Sequence, residues 1–293
     1  MSRIELSEAD VDPIFGWRII RSQTWYWSNA LSYIDQTSEI NPGLKDVYQF
    51  GVATGQGLIH IAERMNTIKS KAPIESFHGF DVFSGMPEEE NEPVFELNWV
   101  GGQFNELDRR NVDSVEKVVQ ALQEEWKAQS DRPLYIYEGL YKDSLPRLKN
   151  EGKLDNMKPA LIVHLDCDLY TSTVEALEFM YSNKLIQPGT MLIYDDWGGT
   201  KSWQQAHSGE SRAHKEMTIK YGVSYYHCWQ FGVSHPGNNC PENIQRAYVV
   251  KEIGGNPTLD AELEGTIVGS CANTFVDVNS EVPFTPQPWP EGY

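Results

Sequence analysis

What this 293-residue chain lacks narrows it first. Its four cysteines, Cys167, Cys228, Cys240 and Cys271, form no CxxC pair and no metal-ligand spacing. That excludes a zinc ribbon or a thioredoxin-like centre, and the expectation is reduced thiols in a cytoplasmic protein. No apolar run is long enough to cross a bilayer, and the opening Met1-Ser2-Arg3-Ile4-Glu5-Leu6 does not resemble a signal peptide. Positive charge is scarce: 24 Lys and Arg stand against 42 Asp and Glu. The net charge of −18 argues against nucleic acid or an anionic membrane as a partner and says little about a neutral substrate. There is no internal repeat, and no Ser/His/Asp or Cys/His arrangement follows from spacing. The dinucleotide fingerprint is absent too, since the run Gly51-Val52-Ala53 has alanine where a second glycine is needed.

What is present is concentrated in residues 160–199. An apolar run, Ala160-Leu161-Ile162-Val163-His164-Leu165, ends in Asp166-Cys167-Asp168, and a second, Met191-Leu192-Ile193-Tyr194, ends in Asp195-Asp196-Trp197-Gly198-Gly199. With an amphipathic segment between them, the two runs read as buried parallel strands joined by a crossover helix. Ligands of open α/β sheets bind at the carboxyl ends of the strands. Neighbouring strands lie roughly 4.8 Å apart, so these acids would crowd one rim. Two charges 4 Å apart repel by about 4 kcal/mol at an effective dielectric of ~20. Such a rim either raises some carboxyl pKa values or holds a hard cation such as Mg²⁺, Ca²⁺ or Mn²⁺. A single Asp there could equally cap a helix; the set is harder to explain that way.

In chain order, residues 15–37 carry Trp17, Trp25, Tyr26, Trp27 and Tyr33 at helical spacing, which favours a core-packed helix ending before Asn41-Pro42-Gly43. Residues 47–57 read as strand, glycine turn and helix, a form that lets a backbone approach a ligand closely. Residues 74–81 form a second strand ending in Asp81, placed to accept ribose hydroxyls. The acidic stretch 82–104 is a candidate lid. Asp113 with Glu116 suggests a capping-box-like helix start, followed by Val115, Val118, Val119, Leu122 and Trp126 on one face. Residues 134–137 make a third strand and 138–143 a loop. Residues 203–221 are expected to be helical, with Gly209 a candidate break, and 225–229 and 246–250 closing strands. His164, on a buried strand, reads as a core histidine rather than a catalytic one. The division expected is 1–45 an N-terminal helical cap, 46–253 the main domain and 254–293 an irregular Pro-rich arm.

Five stretches occur in one order: Gln49-Phe50-Gly51-Val52 through Gly55, 79–87, 139–146, 165–173 and Asp195-Asp196-Trp197-Gly198. Together they resemble the macrocin O-methyltransferase (TylF-like) family of class I S-adenosylmethionine-dependent enzymes, over about residues 47–232. The resemblance implies an α/β, Rossmann-like, seven-stranded and mostly parallel sheet with helices on both faces. It implies S-adenosylmethionine and Mg²⁺ (or another hard divalent cation) as cofactors, and a sugar hydroxyl as methyl acceptor. Gly51, Val52 and Gly55 would hold the methionine part, Asp81 the ribose, and Leu140, Tyr141 and Lys142 would border the adenine. Asp166, Asp195 and Asp196 match the metal ligands and Asp168 the general base. Gln49 departs from the pattern, standing where an acid is common. Trp197 stands where tyrosine is common, which points to a different acceptor pocket.

The chemistry fits the residues without the name. An alcohol is a poor nucleophile near neutral pH; a divalent cation lowers the pKa of an oxygen it holds, and a carboxylate can take the proton. Three carboxylates leave room for two vicinal hydroxyls, so a sugar or catechol diol is the expected small-molecule acceptor. An aromatic N-terminal helix and a Pro-rich arm suit a homo-oligomer. Two other classes stay open at this point. One is a metal-dependent glycosyltransferase using Asp166-Cys167-Asp168, which leaves the Gly51–Gly55 turn and Asp81 unexplained. The other is a binding module without catalysis, disfavoured by the cost of keeping clustered acids.

Overall fold

The computed structural model describes residues 19–91, 100–197, 208–233 and 243–257. The expected apolar runs become strands β1 (Asp46–Phe50), β2 (Phe77–Asp81), β3 (Leu134–Glu138), β4 (Ala160–Leu165) and β5 (Met191–Tyr194). Two longer strands, β6 (Ser224–Val233) and β7 (Asn243–Glu252), close the chain order. The seven lie in one sheet in the order β3-β2-β1-β4-β5-β7-β6. All pairings from β3 to β5 are parallel, while β7 runs antiparallel to both β5 and β6. The chain turns from β1 outward to β2 and β3, then returns to start β4 on the other side of β1. That reversal puts the switch point of the sheet, where such folds bind ligands, between β1 and β4.

Alternation along the strands feeds a core on each face. On β5, Met191 and Ile193 face one side and Leu192 and Tyr194 the other. Helices α1 (Ile19–Thr37), α2 (Gln56–Ile68) and, beyond the short α3 (Glu106–Arg110), α4 (Val115–Gln129) cover the first face. Trp27, Leu31 and Ile34 of α1 pack there with Leu58 and Ile61 of α2 and Val118, Leu122 and Trp126 of α4, so the aromatic helix contributes core as expected. Helices α5 (Tyr141–Asn150), α6 (Tyr170–Ser182) and α7 (Gly209–Tyr221) cover the second. Among the described residues no helix is long and apolar enough to cross a membrane, and Cys167 and Cys228 are free thiols. Cys240, Cys271 and the expected arm beyond residue 257 lie outside the described residues, as do residues 1–18 of the expected cap.

Three local expectations are corrected. Residues 138–143 are not all loop: Gly139 and Leu140 make the turn, and α5 begins at Tyr141. Ser114, not Asp113, is the N-cap of α4, without a side-chain cap bond, and Asp113 instead pairs with Lys117 at 2.7 Å. The last helix starts at Gly209, so Gly209 opens it rather than breaking it, while residues 203–207 lie outside the described set.

Two buried histidines carry a pH consequence. His164 sits in the core edge-on to Trp27 at 5.0 Å, and burial pushes its pKa down to about 3. His214 bonds through Nδ1 to the Tyr194 hydroxyl at 2.8 Å, and burial and then the Arg246 charge take it down to about 3. An unfolded chain takes up protons at these sites below about pH 6.5 while the folded one does not. Each site therefore contributes stability present above that pH and lost as pH falls toward the folded pKa. Comparing wild type with His214→Gln cancels the other titrating groups. The stability advantage of wild type is expected to shrink between pH 7 and 5 with a slope approaching about 1.4 kcal/mol per unit. Denaturant melts giving a pH-independent difference would refute it.

Candidate active site

The register sets the site. Phe50 of β1 pairs with Leu165 of β4, and Leu165 with Tyr194 of β5, so three strands end level. The ladder runs one residue further: Asp166 donates its N–H to Phe50 O, and Asp195 to Leu165 O, both at 2.9 Å. Gly51, Asp166 and Asp195 thus leave the sheet side by side. Gly51 has φ +87°, and a Cβ there would stand 1.7 Å from the Asp166 carbonyl oxygen. Only glycine lets the two chains pass so closely.

The turn after β1 is held from β2. Asp81 Oδ2 accepts the N–H groups of Val52 (2.7 Å) and Ala53 (2.8 Å), and Oδ1 accepts that of Phe83 (2.6 Å). Burial raises its pKa, and these bonds oppose the rise. The carboxylate that the resemblance assigns to ribose therefore also builds the glycine turn. Val52 is buried behind the cleft wall, its N–H committed to Asp81. Gly55, at φ +81°, is the N-cap of α2, packed so that a Cβ would meet Leu122 at 2.5 Å. Neither lines the cleft, whereas Gly51, Ala53 and Asp81 do.

A cleft of about 680 Å³ opens over these strand ends. One wall is the 85–91 stretch, from Gly85 to Asn91 with Met86 and Pro87; the other comes from the ends of β3, β4 and β5. Leu140, Tyr141 and Lys142 line it. Tyr141 is pinned, its hydroxyl bonded to Phe80 O at 3.2 Å and its ring edge-on to Phe50. The expected lid is anchored at its base. Ser84 bridges to Asn105, Met86 N–H bonds Gln103 O (2.7 Å) and Gly102 N–H bonds Met86 O (2.8 Å). Glu89 accepts the Thr171 N–H (2.8 Å) and hydroxyl (2.5 Å) at the start of α6. Residues 92–99, the centre of that stretch, lie outside the described ones.

Asp166, Asp168, Asp195 and Asp196 all line the cleft. Asp166, Asp195 and Asp196 each offer one oxygen within 4.8 Å of the other two, a group that does not include Asp168. Asp168 lies in a tight turn with φ +61°, where the Leu169 N–H reaches back to Cys167 O at 2.6 Å. Burial, and then the neighbouring acids, push the Asp166 carboxyl up to about 8 and those of Asp168 and Asp195 well above their ordinary range. Hard oxygen donors at this density, repelling one another in a half-buried rim, fit a divalent cation.

Residues 39–220 match the Macrocin-O-methyltransferase (TylF) family. The chain belongs to that family. Membership places it among S-adenosylmethionine-dependent O-methyltransferases and sets aside the glycosyltransferase reading of Asp166-Cys167-Asp168. Two solved structures share the fold. The calicheamicin methyltransferase CalS11 is 17% identical, with a TM-score of 0.53 over 81% of this chain and 82% of that one. The O-methyltransferase NovP is 16% identical, with a TM-score of 0.52 over 83% and 92%. No curated protein sequence matches this chain.

Around the acids lie Gln49 and Trp197, which the sequence marks as departures from the family pattern, and several residues it does not mark. Gln49 donates its amide to Gly51 O at 2.8 Å and lies 3.5 Å from Asp166 Oδ2, where an acid would add repulsion. Gln245 of β7 donates to Asp195 Oδ1. Glu210, fully buried in the first turn of α7, accepts the Asp196 N–H at 3.0 Å. Glu88, Glu90 and Glu175 line the cleft from the other wall and α6. Trp197 does not line it: 2% exposed, it packs against Tyr194, His214 and Tyr248 beneath Arg246, so its indole shapes the core under the rim rather than an acceptor pocket.

Proposed function

We propose that this enzyme, with its catalytic unit in residues 46–253, methylates one hydroxyl of a vicinal diol on a sugar or similar small natural product. In this reading Asp166, Asp195 and Asp196 hold Mg²⁺ and the methyl group comes from S-adenosylmethionine. The observation that carries it is the convergence of those three carboxylates at the ends of β4 and β5, in the same cleft as the Asp81-braced glycine turn. A divalent cation there would lower the pKa of the acceptor hydroxyl it held.

The chain's own groups do the rest. Gly51, Val52 and Gly55 shape the turn that holds the methionine part, with Gly51 and Ala53 at the cleft surface. Asp81 keeps acceptor capacity beyond its three backbone bonds, available to ribose. Leu140, Tyr141 and Lys142 flank the adenine. Asp168 takes the hydroxyl proton as the O–CH₃ bond forms and the S–CH₃ bond breaks. Alignment of donor and acceptor contributes about 7–11 kcal/mol in well-oriented systems, which is the work of the rigid strand ends.

The test pairs binding with products. S-adenosylhomocysteine should raise Tm, UDP with Mn²⁺ should not raise it beyond Mn²⁺ alone, and activity lost in EDTA should return with Mg²⁺. Diol acceptors should be methylated and their monodeoxy analogues not, as read by mass spectrometry. Full activity in EDTA overturns the metal; equal turnover of the deoxy analogues overturns the diol.

A further inference from the structure

Asp195 and Asp196 are consecutive, and a strand cannot aim consecutive side chains at one point, because they alternate between its faces. They converge because β5 stops at Tyr194 and the chain bends. Two buried side chains from other elements hold the two acids beyond that bend. Gln245 of β7, 5% exposed, restrains the Asp195 side chain by donating to its Oδ1. Glu210 of α7, fully buried, restrains the Asp196 backbone through Oε2. Each keeps a second oxygen, Gln245 Oε1 and Glu210 Oε1, buried without a hydrogen-bond partner. Buried polar atoms in that condition are uncommon and call for an explanation. Hydrophobic packing would not select a glutamine and a glutamate for these places.

We propose that Gln245 and Glu210 are positioning residues that hold Asp195 and Asp196 convergent and thereby set the affinity of the centre for a divalent cation. This rests on the reading of Asp166, Asp195 and Asp196 as ligands. The two act through different atoms. Gln245 must be an amide, since an ionised glutamate has no hydrogen to give Asp195 and would repel it. Glu210 needs only an acceptor for the Asp196 N–H, so glutamine can replace it. β7 lies beyond the residues that match the family, so one brace comes from outside the matched segment.

Mn²⁺ is titrated by calorimetry into the full chain as wild type, Gln245→Glu, Gln245→Met, Glu210→Ala and Glu210→Gln. Tm and S-adenosylhomocysteine affinity are measured on the same samples. Gln245→Glu, Gln245→Met and Glu210→Ala are expected to weaken Mn²⁺ binding roughly 10–100-fold, with S-adenosylhomocysteine affinity unchanged. Glu210→Gln should stay close to wild type. Unchanged Mn²⁺ affinity in the folded variants, or parallel loss of S-adenosylhomocysteine binding, overturns the positioning role. Wild type that takes up no Mn²⁺ overturns the ligand reading instead.

Discussion

Replacing Asp168 by asparagine is expected to lower turnover by roughly 10²–10⁴-fold, the usual contribution of a positioned acid–base group. Affinity for Mg²⁺ and for S-adenosylhomocysteine should stay close to that of wild type. The substitution suits the backbone, because asparagine is among the few residues that adopt a left-handed conformation readily, and Asp168 sits at φ +61°. The turn that carries it, closed by Leu169 N–H to Cys167 O, should therefore survive. Asp168 also stands outside the three-oxygen group of Asp166, Asp195 and Asp196. Asp→Asn at any of those three should instead weaken the metal, with activity partly restored by excess Mg²⁺. Metal titration and turnover on the four variants separate the roles. Wild-type turnover of Asp168→Asn at saturating metal would remove it as the base.

The second large effect is structural. In Gly51→Ala the new methyl would stand 1.7 Å from Asp166 O and 2.6 Å from its carbonyl carbon, both main-chain atoms that no rotamer change can move. The residue would also keep a φ of +87° that suits glycine alone. β1 and β4 must separate at the half-buried ends that carry the site, and a loss of about 4 kcal/mol, at the upper end for point substitutions, is expected. That corresponds to a fall in Tm of roughly 10 °C for a domain of this size, together with loss of S-adenosylhomocysteine binding. Gly43→Ala is the control, since a Cβ there meets nothing within 4 Å. A Gly51→Ala protein melting with wild type would show that β1 and β4 can part without cost.

The strands of the sheet and the acids at their ends were legible because short apolar runs stopped by an acid or Gly are a local signal, and β1 to β5 all have it. The helical start at Tyr141 was not, since Tyr-Lys-Asp-Ser has the composition of a loop and only packing of Leu145 and Leu148 makes it helix. Trp197 misled for a similar reason. Its place beside Asp196 says nothing about depth, and a core of Tyr194, His214 and Tyr248 takes it inward. Gln245 and Glu210 left no trace in local pattern, because their meaning lies in atoms that the chain brings near from 50 and 14 residues away. Asp81 was visible as a strand-end acid, but its two bonds to the glycine turn, at Val52 and Ala53, depend on a fold that places β2 beside β1.

The wall of the cleft that faces away from the strand ends enters and leaves through one narrow neck, the Ser84–Asn105 bridge and the Met86–Gln103 bond. Chain between two points already clamped together can lengthen or shorten at little cost, about 0.6 kcal/mol for each doubling of a flexible loop. Apart from that neck, the described part of the stretch is tied to the rest of the protein at Thr171 of α6, by Glu89 and Asn91. Replacing the stretch between Met86 and Gln103 is expected to alter what the cleft admits, since Met86, Pro87, Glu88, Glu90 and Asn91 line it, while the braced glycine turn and the three converging carboxylates are left in place. On the proposed function, a change of acceptor is expected to need no change in the sheet, and turnover of alternative acceptors after grafting the segment from another methyltransferase measures it.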